Sequence, residues 1–231
     1  MKKLNLFIIL AYSLNINSIE LPQYEAKYKF ESDEITISGI REFKKNSDSY
    51  EMRFEASNLF ASMYFSSEFI FEDSKVTPKS YNVKIKPKFL KRDQYIYFDH
   101  VGNKITSSGS NIWSVNTEGN NLIMDPLNVQ IMIRTLIKKL GYVDGTKFTL
   151  NIVDMQKGGF KEYDFEVMDT EMCVFNNEEI NCVVLQRSRE GSNRTVKYYL
   201  MEKYEYMFLK IVDMNPERKN TLSLVEILSF G

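Results

Sequence analysis

The chain has 231 residues, of which 43% are hydrophobic and 26% charged, so it can bury a core and is not expected to be disordered. Its formal net charge is −1, which argues against a dedicated nucleic-acid binder, because such proteins usually carry a basic excess. No linker, low-complexity run or internal repeat divides the sequence, and we expect a single domain over residues 19–231.

The first 18 residues have the three-part pattern of a secretory signal peptide. Lys2 and Lys3 provide a positive start, residues 6–14 form a short apolar run, and Ser18 is a small residue suited to the cleavage site. The run is shorter than the about 20 residues that span a bilayer, although a membrane anchor or a buried first helix is the alternative. We therefore predict export through a signal peptide at residues 1–18, which in a bacterium leads to the periplasm.

The sequence then has the two-residue rhythm of strands with one buried face. Apolar residues alternate with polar ones over residues 24–31, 50–57, 81–86 and 196–200. Turn signals such as Asp73-Ser74 and Gly102-Asn103 fall between these runs. The pattern predicts about 12 to 14 short antiparallel strands.

A group of basic residues begins in the run at 81–86 and continues past Pro87. Its members are Lys84, Lys86, Lys88, Lys91 and Arg92. They could form an ordinary solvated face, or a surface that contacts anionic lipid or an acidic envelope protein. Any membrane contact is expected to be peripheral, because no later stretch is long and apolar enough to span a bilayer.

One segment, MDPLNVQIMIRTLIKKLG at residues 124–141, instead has the period of an amphipathic helix. Asp125 is placed to cap its N-terminus, and Gly141 suits its C-terminal end. The apolar residues on one face are Val129, Ile133, Leu136 and Leu140. This face is expected to be ordinary core, or else a movable lid in which Met132 and Ile133 line a cavity.

Strands on both sides of one central helix predict a mainly β domain. The helix needs a cover, and the Tyr-, Phe- and Met-rich face of the sheet can supply it. We expect a strongly curved antiparallel sheet or unclosed barrel with the helix against its mouth. A two-sheet sandwich is the alternative.

Both cysteines lie in one predicted hairpin, TEMCVFNNEEINCVVLQ. A turn at Asn177-Glu178 would set Phe175 opposite Ile180 and Cys173 opposite Cys182. In an oxidising compartment this arrangement favours a disulfide, and two unpaired thiols are the alternative. A redox pair lacks the CxxC spacing, and a metal site lacks further ligands, since His100 is the only histidine.

No set of residues for catalysis is visible. His100 follows an aromatic strand at a predicted turn, where a histidine is usually a solvated surface group, and no G-x-S-x-G nucleophile motif is present. Glu162, Asp164 and Glu166 alternate with apolar residues and are expected to face solvent. We expect neither enzymatic activity nor a cofactor.

Several features together resemble the domain-of-unknown-function 3108 family of bacterial exported proteins. They are the Tyr-rich strand at 24–30, Gly39, the VTPKSY segment, Asp125-Pro126-Leu127 and the late strand KYYLMEKYEYMFLKI. The resemblance covers residues 22–230 and implies a β-rich envelope protein with no established activity. It also implies an architecture like that of periplasmic lipoprotein carriers, whose curved sheet and lid helix enclose an apolar cavity.

These observations predict an exported, non-enzymatic envelope protein that binds an apolar or lipid-like ligand, or a lipidated partner, beneath the helix. The residues expected to line the site are Tyr28, Phe30, Met52, Phe54, Val129, Met132, Ile133 and Leu136. An envelope scaffolding module with a filled interior is the alternative, and a cavity in the sheet would distinguish the two.

Overall fold

The computed structural model describes residues 19–87, 92–117 and 122–231, so the predicted signal segment lies outside the described residues. The described strands, numbered in chain order, are β1 (Tyr24–Glu31), β2 (Thr36–Lys45), β3 (Tyr50–Ser57), β4 (Ala61–Glu72), β5 (Lys75–Pro87), β6 (Arg92–Asp99), β7 (Lys104–Gly109), β8 (Trp113–Asn116), β9 (Ile123–Met124), β10 (Lys147–Val153), β11 (Phe160–Phe175), β12 (Glu178–Ser188), β13 (Thr195–Met201), β14 (Met207–Asn215) and β15 (Arg218–Phe230). The helix α1 (Asn128–Leu140) follows β9, and a short 3₁₀ turn, Glu202–Tyr204, follows β13.

All of these strands belong to one sheet, in the order β8-β7-β6-β5-β4-β3-β2-β1-β15-β14-β13-β12-β11-β10-β9. Neighbouring strands run antiparallel, except that the two-residue strand β9 runs parallel to β10. The edge strands β8 and β9 do not pair with each other, so the sheet is unclosed. The predicted single, curved, antiparallel sheet is confirmed, and the alternative of two packed sheets is wrong.

Alternating polarity explains why the first strands form. In β1, the buried side chains of Tyr24, Ala26 and Tyr28 alternate with the more exposed Glu25 and Lys27. β1 pairs with β2 on one side and with β15 on the other, which joins the two halves of the chain. The first and last strands of the domain therefore lie side by side in the middle of the sheet.

The helix ends where the sequence predicts, whereas its first residue is Asn128, three positions after the predicted cap Asp125. Asp125 Oδ1 accepts hydrogen bonds from the backbone N–H groups of Leu127 and Asn128, at 2.8 and 2.9 Å. At the other end, the N–H of Gly141 donates to the carbonyl of Ile137 at 3.1 Å, and Gly141 has a φ of 74°. Both predicted capping residues therefore satisfy backbone groups that a helix end leaves unpaired.

The helix lies within the curve of the sheet. Val129, Ile133 and Ile137 pack with β10–β14, whereas Ile131 packs in a second core cluster that draws most of its residues from β1–β7. Leu140 was predicted to share the apolar face, but 52% of its surface is exposed, because the last turn of the helix extends beyond this packing. Strands of both halves of the sheet therefore bury the first three turns of the helix, which a single apolar stripe does not indicate.

The loop between β10 and β11 fastens the two halves of the sheet together. The carbonyl oxygen of Met155 accepts hydrogen bonds from Gln94 Nε2 at 2.6 Å and from Trp113 Nε1 at 3.3 Å. Gly158 has a φ of 80°, and a Cβ there would meet the Trp113 ring at 3.0 Å. Trp113 is thus part of the packing, and a glycine is required where the loop crosses its ring.

The hairpin of β11 and β12 turns one residue earlier than predicted. Asn176 and Asn177 form the turn with φ values of 51° and 63°, and Phe175 pairs with Glu178. The predicted pairing of Phe175 with Ile180 is therefore wrong. A tight turn of this kind needs a positive φ at both central residues, and asparagine tolerates that conformation better than glutamate.

The two cysteines are diagonal neighbours in this hairpin. Cys173 pairs with Ile180 and Cys182 with Glu171, so the prediction that the cysteines oppose each other directly is wrong. Their Cα atoms are nevertheless only 5.9 Å apart and their Sγ atoms 2.16 Å apart. The pair therefore lies at disulfide distance despite the shifted register.

Candidate functional site

A cleft of about 1000 Å³ opens at one end of the curved sheet, and we term it the mouth cleft. Residues of three turns border it: those joining β1 to β2, β3 to β4 and β14 to β15. Its apolar lining consists of Phe30, Ile35, Phe60, Ala61, Met63 and Ile85. Its polar lining consists of Ser32, Asp33, Glu34, Thr36, Asn58, Asn215, Glu217, Arg218 and Asn220. The volume is at the upper end of the roughly 300–1,000 Å³ typical of small-molecule sites.

Side-chain hydrogen bonds shape two of these turns. Ser32 Oγ accepts a hydrogen bond from the N–H of Ile35 at 3.1 Å. Asn58 Oδ1 accepts hydrogen bonds from the N–H groups of Phe60 and Ala61, at 2.8 and 2.9 Å. The intervening Leu59 is 94% exposed, so the β3–β4 turn presents an apolar side chain to solvent beside the cleft.

Strand register shows which side chains lie below the mouth cleft. The first inward row across β1–β4 consists of Tyr28, Gly39, Ala56 and Met63. The second row, one inward position deeper, consists of Ala26, Arg41, Phe54 and Phe65. Met63 belongs to the first row and lines the cleft, so Arg41, in the second row, lies one row below the cleft floor. The first-row residues next to Arg41 are Gly39 of β2 and Ala56 of β3, which have no large side chain.

Arg41 is buried, with 1% of its surface exposed. Its Nη2 donates a hydrogen bond to Oε1 of Gln130 in α1. Its guanidinium carbon lies 5.2 Å from the centroid of the Tyr28 ring. Within the described part of the chain, its Nε and Nη1 have no hydrogen-bond partner.

Arg134 of α1 is a second buried arginine, also 1% exposed. Its Nε donates to the carbonyl oxygen of Glu205 at 3.1 Å, and its guanidinium carbon lies 5.5 Å from the Tyr24 ring centroid. Nη1 and Nη2 lack a partner among residues 19–87, 92–117 and 122–231. Burial lowers the pKa of this guanidinium, and the neighbouring positive charge of Arg41 acts in the same direction.

We refer to Arg41, Arg134, Tyr24, Tyr28 and Gln130 as the arginine site. It has two buried cations but no hydrogen bond from either guanidinium to a carboxylate of a described residue. Tyr28 does not offset the charge, because burial raises the pKa of its hydroxyl, which donates to the Phe208 carbonyl at 2.6 Å. An unpaired buried donor costs about 1–3 kcal/mol, so the site is electrostatically suited to receive an anion.

Asp125 is a third buried charged group, but its hydrogen bonds are already made. Its Oδ2 accepts from Ser67 Oγ and from Asn128 Nδ2, each at 2.6 Å. Burial raises the pKa of this carboxyl group to about 7, against the opposing effect of these hydrogen bonds. The arrangement ties the start of α1 to β4 and is a structural junction.

A smaller cleft of about 300 Å³ contains His100. The His100 Nε2 lies 2.5 Å from the carbonyl oxygen of Pro78. The neighbouring Asp99 Oδ1 instead accepts the N–H groups of Val101 and Gly102, at 3.1 and 2.8 Å. In the described residues, His100 is therefore bonded neither to a carboxylate nor to a hydroxyl, as a catalytic histidine would need.

Two general features of the described residues bear on function. No three side chains among their His, Cys, Asp and Glu residues are grouped in a way that could hold a metal ion. No helix in the same ranges has the length and apolar character needed to cross a bilayer.

The predicted ligand residues of the sheet separate into two groups. Phe30 lines the mouth cleft. Tyr28, Met52 and Phe54 are instead buried within the core cluster of β1–β7, at 0%, 1% and 7% exposure. The structure therefore places one of these four residues at the cleft and three in the packing below it.

The predicted ligand residues of the helix lie elsewhere. Val129 and Ile133 are buried against β10–β14, and Leu136 packs on the same cluster. Met132 is partly buried and contacts both core clusters. None of these four residues lines the mouth cleft, so the structure does not bring the eight predicted residues into one cavity.

The predicted basic surface is only partly described. Lys84 and Lys86 are exposed on the outer face of β5, as expected. Arg92 pairs with an inward-facing isoleucine of β5, so it lies on the opposite face from these two lysines. Lys88 and Lys91 lie outside the described residues.

Sequence reasoning missed the arginine site, although both arginines left a signal. In β2, Arg41 occupies the inward alternation of Ile37, Gly39 and Phe43. In α1, Arg134 lies one turn after Ile131, on a face that the apolar stripe did not include. An arginine at an inward position of a strand or helix pattern is the signal that would have identified this site from the sequence.

Comparison with known proteins supports this fold. The model of the family "Protein of unknown function (DUF3108)" matches residues 23–222 of the chain. A crystal structure of the β-barrel-like DUF1849 protein from Brucella abortus aligns with a TM-score of 0.60 and 8% sequence identity, covering 90% of this chain and 98% of that one. No curated protein sequence matches the chain. At this identity the structural likeness concerns the fold alone.

Proposed function

Because the chain belongs to the DUF3108 family of proteins of unknown function, we propose a function from the geometry of the site itself. The protein is an exported, non-enzymatic component of the bacterial envelope that holds an apolar or lipid-like ligand in the mouth cleft. The observation that carries this proposal is a cleft of about 1000 Å³ with six apolar lining residues at the open end of the sheet.

The chemistry of the lining supports an apolar ligand. The six apolar side chains come from β1, the turn after it, the turn before β4, β4 itself and β5, so they surround the space from several directions. The exposed Leu59 beside the cleft provides an apolar surface at which such a ligand can enter. The polar lining residues lie in the three turns and at the strand ends next to them, whereas the apolar residues of β1, β4 and β5 supply the area that an apolar ligand can bury.

Two observations support export. The first 18 residues have the pattern of a signal peptide. Cys173 and Cys182 lie at disulfide distance, and disulfides persist mainly in oxidising compartments such as the periplasm.

Binding of a neutral apolar dye tests the cleft directly. N-phenyl-1-naphthylamine, whose fluorescence rises in apolar surroundings, would be titrated into the purified mature chain. Ala61 lines the cleft and is 5% exposed, so Ala61→Trp fills the space and should weaken dye binding by about 10-fold or more.

Ser62→Trp is the matched control. Ser62 is the next residue of β4, does not line the cleft, and pairs with Ser57 and the exposed Lys86. This variant should bind the dye as the wild type does. A wild type that binds no dye, or an Ala61→Trp variant that binds it equally well, would contradict the proposal.

Scaffolding is the second candidate, and one observation favours it. The interior beside the helix is filled, since Tyr28, Met52 and Ile133 are almost completely buried. A protein whose filled core supports only external contacts would bind no dye and would show no effect of Ala61→Trp. The same titration therefore separates the two candidates.

A further inference from the structure

We propose that the ligand is an amphiphile with an anionic head group, and that Arg41 and Arg134 bind this head group while the apolar tail occupies the mouth cleft. The inference rests on the proposed function, because it specifies the ligand of the same cleft. The head group is an oxyanion, either a carboxylate or a phosphate.

The first argument is the unfilled hydrogen-bonding capacity of the arginine site. Four guanidinium nitrogens are buried without a partner in the described residues: Arg41 Nε and Nη1, and Arg134 Nη1 and Nη2. Arginine presents its donors in a planar fork that matches the oxygens of a carboxylate or phosphate. Each arginine has two guanidinium nitrogens without a partner, and this arrangement suits an oxyanion held between the two side chains.

The second argument is that the protein does not supply a counter-charge of its own. Glu205 accepts the Arg134 Nε hydrogen bond with its carbonyl oxygen, while its carboxylate pairs with Lys138 at 2.6 Å and acts on Arg134 only through space. Asp125 is occupied by Ser67 and by the helix start. Two buried positive charges without an anion are costly, and a bound oxyanion removes that cost.

The third argument is position. Arg41 lies one inward row below the floor of the mouth cleft. The residues of the intervening row next to it are Gly39 and Ala56, and even a Cβ added at Gly39 would meet the Ala56 Cβ at 2.5 Å. This row is therefore closely packed at its smallest side chains, and an acidic head group from the cleft reaches the guanidinium of Arg41 only when these two strands move apart.

The Tyr rings orient the two arginines. Tyr28 stacks with Arg41 and Tyr24 with Arg134, at 5.2 and 5.5 Å. Gln130 also holds Arg41 from the helix, so the site joins β1, β2 and α1. Binding of the head group should consequently couple the cleft to the position of the helix.

Matched ligands test the inference. Dodecanoate, dodecyl phosphate and neutral dodecanol have the same tail, and each would compete with N-phenyl-1-naphthylamine for the full mature chain at pH 7.5. We expect at least one of the two anions to bind about 10- to 100-fold more tightly than dodecanol, the range given by charge-assisted hydrogen bonds. Whether dodecanoate or dodecyl phosphate gains more identifies the head group.

Arginine variants locate the effect. Arg41→Met and Arg134→Met should reduce the anion-to-alcohol affinity ratio to near one while dodecanol binding persists, which also shows that the variant is folded. Arg53→Met is the control, because Arg53 is a partly exposed residue of the neighbouring strand that pairs with Glu42 at 2.8 Å. It should retain the wild-type ratio. If one arginine variant loses dodecanol binding, the other variant and the wild-type ratio still decide the outcome.

The results separate this inference from the proposed function. Equal affinity for dodecanol and both anions, or an anion preference unchanged in both arginine variants, would overturn the anionic head group while leaving the apolar cleft intact. Absence of any dye or dodecanol binding would overturn both. Inorganic phosphate alone, if it displaces no dye but protects the wild type against unfolding, would place the anion at the arginine site without a tail and would overturn the amphiphile.

Discussion

Replacing Arg134 with methionine should make the ligand-free protein more stable. Methionine keeps the length of the side chain but removes a buried charge whose Nη1 and Nη2 have no partner among the described residues. Each unpaired donor costs about 1–3 kcal/mol, so their removal gains about 2–6 kcal/mol. The lost Nε–Glu205 hydrogen bond and the lost contact with the Tyr24 ring together cost about 2 kcal/mol.

The net expectation is a stabilisation of about 0–4 kcal/mol, in line with the replacement of other buried charges by apolar groups. Urea unfolding of the delipidated mature chain at pH 7.5 measures it as an increase in the midpoint at unchanged slope. Arg53→Met, which removes a partly exposed arginine, should change the free energy of unfolding by no more than about 1 kcal/mol. If Arg134→Met instead loses 2 kcal/mol or more, the arginine is structural and the reasoning about its unpaired donors is refuted.

Three further predictions concern pH, the cysteine pair and export. Burial raises the pKa of the Asp125 carboxyl group from 3.8 to about 7. The protonated form therefore stabilises the fold fully below about pH 4, and that stability is lost as the pH rises through 7. Wild type should be roughly 2–3 kcal/mol less stable to urea at pH 8 than at pH 5, and Asp125→Asn should lose most of this difference. An equal pH dependence in the variant would assign the effect to another group. Replacing Cys173 and Cys182 by serine opens a loop with a sequence separation of 9 and should lower the free energy of unfolding by about 2.5 kcal/mol under oxidising conditions. Wild type treated with reductant should match the variant. Unchanged urea midpoints would show that no disulfide forms. Intact mass of the protein recovered from the bacterial periplasm should correspond to a chain that starts after residue 18, and recovery of the full-length mass from the cytoplasm would contradict export.

Local patterns predicted the elements of this fold well, because their causes lie within each segment. Alternation of apolar and polar residues in β1 places Tyr24 and Tyr28 inward, and Asp125 and Gly141 end the helix through bonds to groups within four residues. The hairpin was misplaced by one residue because Asn176 had to be weighed against Glu178 for a positive φ. That choice depends on the turn type, which alternation alone does not specify.

The candidate site was less predictable, because it depends on contacts between distant segments. Phe30 lines the cleft, but Met52 and Phe54 lie deeper, since the strand register decides which inward residues are near the open end. Arg41 and Arg134 are 93 positions apart in the sequence, and only the closure of the sheet around α1 brings them to neighbouring tyrosines. Reading a hydrophobic pattern assigns arginine to the surface, so it does not identify Arg41 and Arg134 as buried residues of the protein interior.

Native mass spectrometry of the mature chain, purified from the periplasm without detergent, tests the central idea most directly. The wild type should carry one small-molecule adduct that is released on activation in the gas phase, and that adduct should be detected as an acid with an apolar tail. Ala61→Trp, with its cleft filled, should lack the adduct, and Ser62→Trp should retain it. A bare mass for wild type, or an adduct equally abundant in Ala61→Trp, would contradict ligand binding in the mouth cleft.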